Sequence, residues 1–299
     1  MGKHLAICWN ICESRATHCI IEKMKDTMSD NVSGADNQQG SLRLLADDPS
    51  ETTCRIPQMN RELAILLALL FTDGCVSPKR KQSWRIYFSN MSPTLVELFR
   101  SCMLRVFYLN PLRIRIRKNS SEMVIGVVDS KEIGNYLIEK FGTFRTLRFK
   151  NGKFPATKLP IEELVKSKYT PDFLKVAFSC DGGLCFYPAR RKGARGGTIW
   201  LIRTVFLTCI HPQLRRDYTK LLNFEGIKTR EVARDGKIKI EREEDIRKFY
   251  EKVGFINGVE ATKHSKFWKG QEKQKILEHM IFSYGNPSNT YNLPIFNLR

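Results

Sequence analysis

No stretch of this chain approaches the roughly 18 consecutive apolar residues that a membrane-crossing helix needs, and its N-terminus has no secretory-type apolar core. Acidic side chains are few beside basic ones: 31 Asp and Glu against 50 Lys and Arg, a formal charge of +19 and a sequence pI near 9.6. The nine cysteines are odd in number and irregularly spaced over 299 residues, which excludes a disulfide framework. His4, Cys8, Cys12, His18 and Cys19 cluster near the start, but they follow no usual zinc-ligand spacing and no second pair completes a site. The expectation is a soluble intracellular protein, cytoplasmic or in an organellar matrix, with no membrane partner. An intein is not expected, because Met1 and Asn297-Leu298-Arg299 are not the splicing residues one would have at its ends.

The content that is present is that of a folded domain, 42% hydrophobic and 10% aromatic. The charge is unevenly placed: residues 1–55 hold 6 basic and 8 acidic side chains, and the rest hold 44 and 23. A globular body this basic attracts a polyanion through counterion release, so nucleic acid is the leading partner class. The stretch from Asp30 to Ser50 is polar and rich in Gly, Asn and Gln, and residues 1–57 are read as a flexible leader.

From about Met59 the pattern occurs twice. Leu63–Phe71 is an apolar run ending in Thr72-Asp73-Gly74. Thr170-Pro171-Asp172, read as an N-cap with proline in the first turn, opens a second run ending in Cys180-Asp181-Gly182. Each run is followed by a short apolar strand, a proline (Pro78, Pro188) and a basic turn. Then come a Trp-containing strand (83–90, 198–207), a helix opened by Ser92-Pro93 or His211-Pro212, and a strand pair (112–118 with 121–128, 227–233 with 237–242). A helix (130–141, 243–253) closes each unit. The order predicted is αββαββα, twice, an α+β fold with a first repeat over 58–160 and a second over 161–299. Asp73 to Pro93 spans 20 residues and Asp181 to Pro212 spans 31, so the copies are unequal.

One Asp-Gly after a helix is an ordinary stop signal. Two of them, each opening a matching unit, point further. The first helix is apolar nearly all round, so it is buried on every side, and Ala68 and Ala177 lie five residues before each aspartate, where two helices can approach closely. A helix C-terminus disfavours a carboxylate, and two side by side repel unless a cation lies between them. Hard divalent cations take such oxygen ligands, and paired carboxylates with metal suit phosphodiester hydrolysis.

These two segments, Leu66–Gly74 and Leu174–Gly182, resemble the two signature motifs of the LAGLIDADG homing endonucleases, and the resemblance extends over roughly residues 59–285. It implies saddle-shaped antiparallel sheets around a central two-helix interface in one monomeric chain, lying on double-stranded DNA. It implies a single active site in which Asp73 and Asp181 bind Mg²⁺, with the backbone carbonyls of Thr72 and Cys180 beside them. Mn²⁺ is expected to substitute, and Ca²⁺ to support binding without cleavage. It also implies a pocket lysine after the last helix of a repeat, a place that Lys263 fits, with Lys266 as runner-up. Asn90 matches a residue that orders water, and Cys209 stands in its place in the other copy. In the first copy, Phe144–Lys150 singles out no one basic residue for the pocket.

Strand alternation gives independent support for a polyanion-binding face. Arg85, Tyr87 and Ser89 alternate with Trp84, Ile86 and Phe88; Arg113, Arg115 and Arg117 are read as one polar face; Lys228 with Arg230, and Lys237 with Lys239, are read likewise. Arg203 is counted with them as a DNA-binding residue. Arginine reads guanine edges, and both basic types bind phosphates. Two alternatives stay open at this level: an RNA maturase acting on an intron, and a DNA-binding descendant without catalysis.

Overall fold

The computed structural model describes residues 57–79, 83–120, 122–190, 199–262 and 265–286. All of these belong to one compact unit, Cys54–Arg299. The readings made for the leader, for the possible ligands His4–Cys19 and for Lys263 lie outside the described residues.

Helix α1 (Arg61–Phe71) starts where Asn60 turns its side chain onto the backbone N–H of Leu63, at 2.8 Å. Leu63, Ala64 and every residue from Leu66 to Phe71 are buried, as an all-round apolar helix demands. Strands β1 (Gly74–Lys79) and β2 (Ser83–Asn90) form a hairpin, followed by α2 (Pro93–Phe107), β3 (Arg115–Lys118), β4 (Val124–Asp129) and α3 (Lys131–Phe141). A short helix, α4 (Ile161–Ser167), leads into α5 (Thr170–Asp181), which opens the second copy. Strands β5 (Gly182–Arg190) and β6 (Ile199–Thr208), α6 (Pro212–Phe224), β7 (Arg230–Val232), β8 (Lys237–Ile240) and α7 (Glu243–Lys252) complete it. The second copy carries one more helix, α8 (Lys273–Gly285), for which no counterpart stands between α3 and α4.

Each copy has one four-stranded antiparallel sheet, in the order β1-β2-β4-β3 and β5-β6-β8-β7. One face of each sheet is apolar and covered by helices: Ile86, Phe88 and Val128 in the first, and Phe186, Val205, Ile238 and Ile240 in the second, have no exposed surface. Helices α1 and α5 pack against each other at the centre, with Ala68 and Ala177 both fully buried. One hydrophobic core runs through both copies. The α+β organisation and the repeat order agree with the sequence reading.

Several local expectations change. Residues 112–114 are not strand: Pro111–Arg113 is a 3₁₀ turn, closed because the Asn110 side chain accepts from the Leu112 N–H at 2.9 Å. Arg113 therefore stands at the turn's end, and Arg115 and Arg117 alone share the strand face. Likewise β7 begins at Arg230, leaving Lys228 before it, where its N–H donates to Asp245 Oδ1 at 2.8 Å. Thr170 does not cap α5; it is the helix's first residue, and its hydroxyl is buried without a partner among the described residues.

Candidate active site

Asp73 and Asp181 close the two central helices in slightly different ways. Asp181 is the last residue of α5, and Asp73 follows Thr72, the residue that ends α1. Thr72 bends the chain there by donating its hydroxyl to Ala68 O at 2.9 Å and Leu69 O at 3.1 Å. The next residue is glycine in both copies because the strand doubles back hard against its own helix. A Cβ on Gly74 would lie 2.5 Å from Leu70 Cα, and one on Gly182 would lie 2.4 Å from Phe178 O. Gly182 has extended backbone, φ −94°, so close approach and not a left-handed turn demands glycine. The Asp-Gly pair thus launches each sheet from a helix end and leaves the aspartate at the junction.

The two carboxylates act on one another. Burial pushes the Asp181 carboxyl well above the ordinary range and the Asp73 charge pushes it further, while Lys273 opposes both. Burial raises Asp73 to about 6 against the opposing pull of Asn90 and Lys273. Asn90, the last residue of β2, holds Asp73 by donating from Nδ2 to Oδ2 at 2.7 Å, and its own oxygen accepts from the Ser92 N–H at 2.8 Å. Cys209 holds the matching place in the second copy, where its thiol donates to His211 O at 3.6 Å and, among the described residues, no such bond reaches Asp181. The Cys180 thiol, bonded to the Thr72 side chain across the helix pair, is raised well above its usual value by burial and by the Asp73 charge.

The cation beside this pair is Lys273, which the sequence reading missed. Its side chain is buried, and Nζ donates to Ser179 O at 2.7 Å and Gly182 O at 2.8 Å, two carbonyls flanking Asp181. It enters from the first turn of α8. A signal was there to read: Lys273 shares the buried stripe of Ile276, Leu277 and Met280, at helical spacing. A lysine in the core stripe of an amphipathic helix requires a buried counter-charge or acceptor. Lys266, the runner-up, is exposed, with Nζ over the Phe267 ring at 5.2 Å.

The face of the first sheet turned away from the helices carries Cys75, Ser77 and Lys79 on β1, Arg85, Tyr87 and Ser89 on β2, Val127 and Asp129 on β4, and Arg115 and Arg117 on β3. Asp129 organises it. Its carboxylate accepts from Lys79 Nζ at 2.7 Å, from Arg85 Nε at 3.0 Å and from Arg115 Nη2. Burial would raise this carboxyl, but the three cations outweigh it and hold it well below the usual range. Tyr87 meets Cys75, and burial raises its hydroxyl to about 12. In the second sheet Lys237 and Lys239 lie on the corresponding face, opposite Thr208 and Phe206, with Lys237 Nζ 4.8 Å from the Phe206 ring centre. Arg230 pairs with Glu241.

Arg203, expected on that face, is on the other one. It lies opposite the buried Phe186, donates from Nε and Nη2 to Ser283 Oγ and O at 2.8 and 2.9 Å, and stacks 4.4 Å from the Tyr284 ring centre. It ties α8 to the sheet. Alternation within 198–207 could not show this, since both faces of β6 carry large apolar side chains.

Among the described residues no group of three or more His, Cys, Asp or Glu could hold a metal. The two carboxylates do suit a hard divalent cation: they are oxygen donors, and among the described residues no hydrogen bond to Asp181 offsets its burial. Among the described residues, any further ligands would come from backbone, solvent or substrate.

Comparison with curated proteins found no match. Among solved structures, the I-SmaMI LAGLIDADG homing endonuclease bound to cleaved DNA aligns with 10% identity over 79% of this chain and 93% of its own, at a TM-score of 0.48. The LAGLIDADG meganuclease I-AabMI bound to uncleaved DNA aligns with 12% identity over 79% and 94%, at 0.44. Residues 60–142 match the family model of the LAGLIDADG-like domain. The same element order and the same Asp-Gly helix end recur from Thr170 to Lys252. Residues 60–142 are accordingly similar to the LAGLIDADG-like domain, and Thr170–Lys252 is a second unit with the same element order.

Proposed function

We propose that this protein is a site-specific endonuclease that cuts both strands of a long, asymmetric DNA target, using a divalent cation held by Asp73 and Asp181. The observation that carries this reading is the meeting of two mutually repelling carboxylates at the ends of two packed helices, with the buried cation Lys273 beside them. One chain supplies both aspartates, so a monomer is competent. Mg²⁺ is the proposed ion, Mn²⁺ a substitute, and Ca²⁺ an ion that supports binding without cleavage. Bound there, the cation would activate water and stabilise the leaving oxygen of a phosphodiester.

The chain's own residues have separable tasks. Asp73 and Asp181 provide the negative oxygens, and Asn90 fixes the orientation of Asp73. Lys273, fixed by two carbonyls, lowers the cost of keeping both carboxylates ionised and supplies positive charge where the phosphate would build negative charge. The basic sheet faces hold the duplex.

Cleavage-site selection on randomised duplex DNA with Mg²⁺ tests the reading. One sequence should be enriched and linearised, with cutting lost in chelator and binding kept in Ca²⁺. Asp73→Asn and Asp181→Asn should each abolish double-strand cutting while affinity stays or rises. Ordinary linearisation by either variant, or efficient cutting in excess chelator, would refute it.

A further inference from the structure

The two sheets correspond residue by residue through their registers. Asn90 and Cys209 each stand two residues before the position that opens the next helix. Counting back along the strands, Arg85 matches Thr204 and Tyr87 matches Phe206. Asn90 pairs across the sheet with Val124, and the Cys209 N–H bonds Gly236 O at 2.6 Å, so Asp129 matches Glu241. On the outermost strands Arg115 lies opposite Val127 and Arg230 opposite Lys239, which are again equivalent positions. Arg115 and Arg230 therefore occupy the same place in the two copies, although the strand sequences RIRK and REV differ.

The same acid-held arrangement recurs at that place. Arg115 donates to Asp129, and Arg230 donates from Nε and Nη2 to the two oxygens of Glu241 at 2.7 and 2.8 Å. Both guanidinium side chains are open, 58% and 59% exposed. Asp129 and Glu241 are less exposed, 17% and 37%, but with the arginine end this open each pair is screened by solvent and adds little to stability by itself. A carboxylate that fixes an exposed guanidinium does have a consequence for binding: the planar fork is oriented beforehand, and less freedom is lost when it meets a base edge. The first sheet holds one more such group, Arg85 at 3.0 Å from the same Asp129, whereas its counterpart Thr204 is buried.

Building on the endonuclease reading, we propose that Arg115 and Arg230 are base-reading residues, each set by its carboxylate toward a guanine edge in the major groove of one half-site. Arg85 adds a reader in the first half only. Asp129 and Glu241 are positioning residues. The target then has a G·C pair at an equivalent place in each half and a further one on the side of the first repeat.

The test is selection of bound sequences from a randomised duplex library in Ca²⁺, so that cleavage is not needed for the readout. Arg115→Ala should relax one position and Arg230→Ala a different one. Each should lower affinity about 5- to 150-fold for the preferred sequence, and hardly at all for a sequence already changed at that base. Asp129→Asn should relax the positions read by Arg115 and Arg85 and leave that of Arg230 intact, a pattern that a purely structural ion pair would not produce. A uniform loss of affinity on all sequences would identify these arginines as phosphate contacts and overturn the inference alone. Enrichment of no sequence by the wild-type protein would overturn it together with the endonuclease reading.

Discussion

At the level of single residues, the central fact is that Asp73 and Asp181 are less acidic than carboxylates in water. Burial raises Asp73 to about 6, and it raises Asp181 further with the help of the Asp73 charge. An acid whose folded pKa lies above its unfolded one binds more protons in the native state, so stability is greatest below the unfolded value and falls as pH rises through the folded one. For Asp73 that window runs from about 4 to about 6. In metal-free buffer Asp73→Asn should therefore be more stable than the wild type at pH 7, by about 1–2 kcal/mol after discounting for solvent at the site, and no more stable at pH 4. Urea denaturation at the two pH values measures this; equal effects at both would show that the charge is not strained. Lys273→Met works in the opposite direction. It leaves the Ser179 and Gly182 carbonyls without their donor and two carboxylates without their cation. The expected loss is about 2–4 kcal/mol at pH 8 and less at pH 5, where protonation relieves the repulsion. Thermal melts across that range decide it.

At the level of elements, the helix-to-strand junction sets the site. Gly182 has no room for a methyl group because Phe178 O and Cα lie 2.4 and 2.8 Å from where it would sit, and both are backbone atoms of α5. Gly182→Ala should destabilise by about 1–3 kcal/mol and shift Asp181 from its place. Gly285→Ala, at a glycine whose added Cβ would meet nothing within 4 Å, serves as the neutral comparison in denaturant titrations. Should the two variants behave alike, the tight turn does not constrain the junction. Helix α8 is the other decisive element. Its apolar stripe packs on the second copy, its N-terminal turn delivers Lys273, and its last turn is held by Arg203 through Ser283. It joins the aspartate site to an inner strand of the second sheet, which explains why an arginine expected to face DNA is turned inward.

At the level of the whole molecule, both aspartates, the lysine and both sheets come from one chain and share one core. The compact unit begins at Cys54, and Pro57 accepts a hydrogen bond from Tyr136 Oη at 2.8 Å. A chain begun at Arg55 should thus melt at the same temperature and bind DNA with the same affinity as the full-length protein. A clearly lower melting temperature in differential scanning calorimetry would assign the leader to the fold.

The sequence by itself determined the class of the fold, the duplication and the two carboxylates, because these depend on local order: apolar periodicity sets helix and strand, and Asp73-Gly74 and Asp181-Gly182 sit at corresponding helix ends. It also specified that Arg85, Arg115 and Arg117 alternate with apolar side chains. It could not decide which cation joins the carboxylates, since Lys273 lies 92 residues beyond Asp181 and only the docking of α8 brings it there. Nor could it turn Arg203 inward or detach Arg113 from its strand. The first depends on Ser283 and Tyr284, 80 residues and more away, and the second on the Asn110 cap competing with strand pairing. Chain pattern specifies what each segment can become. Which side chains share a buried space depends on contacts between segments, and those are settled only when the core closes.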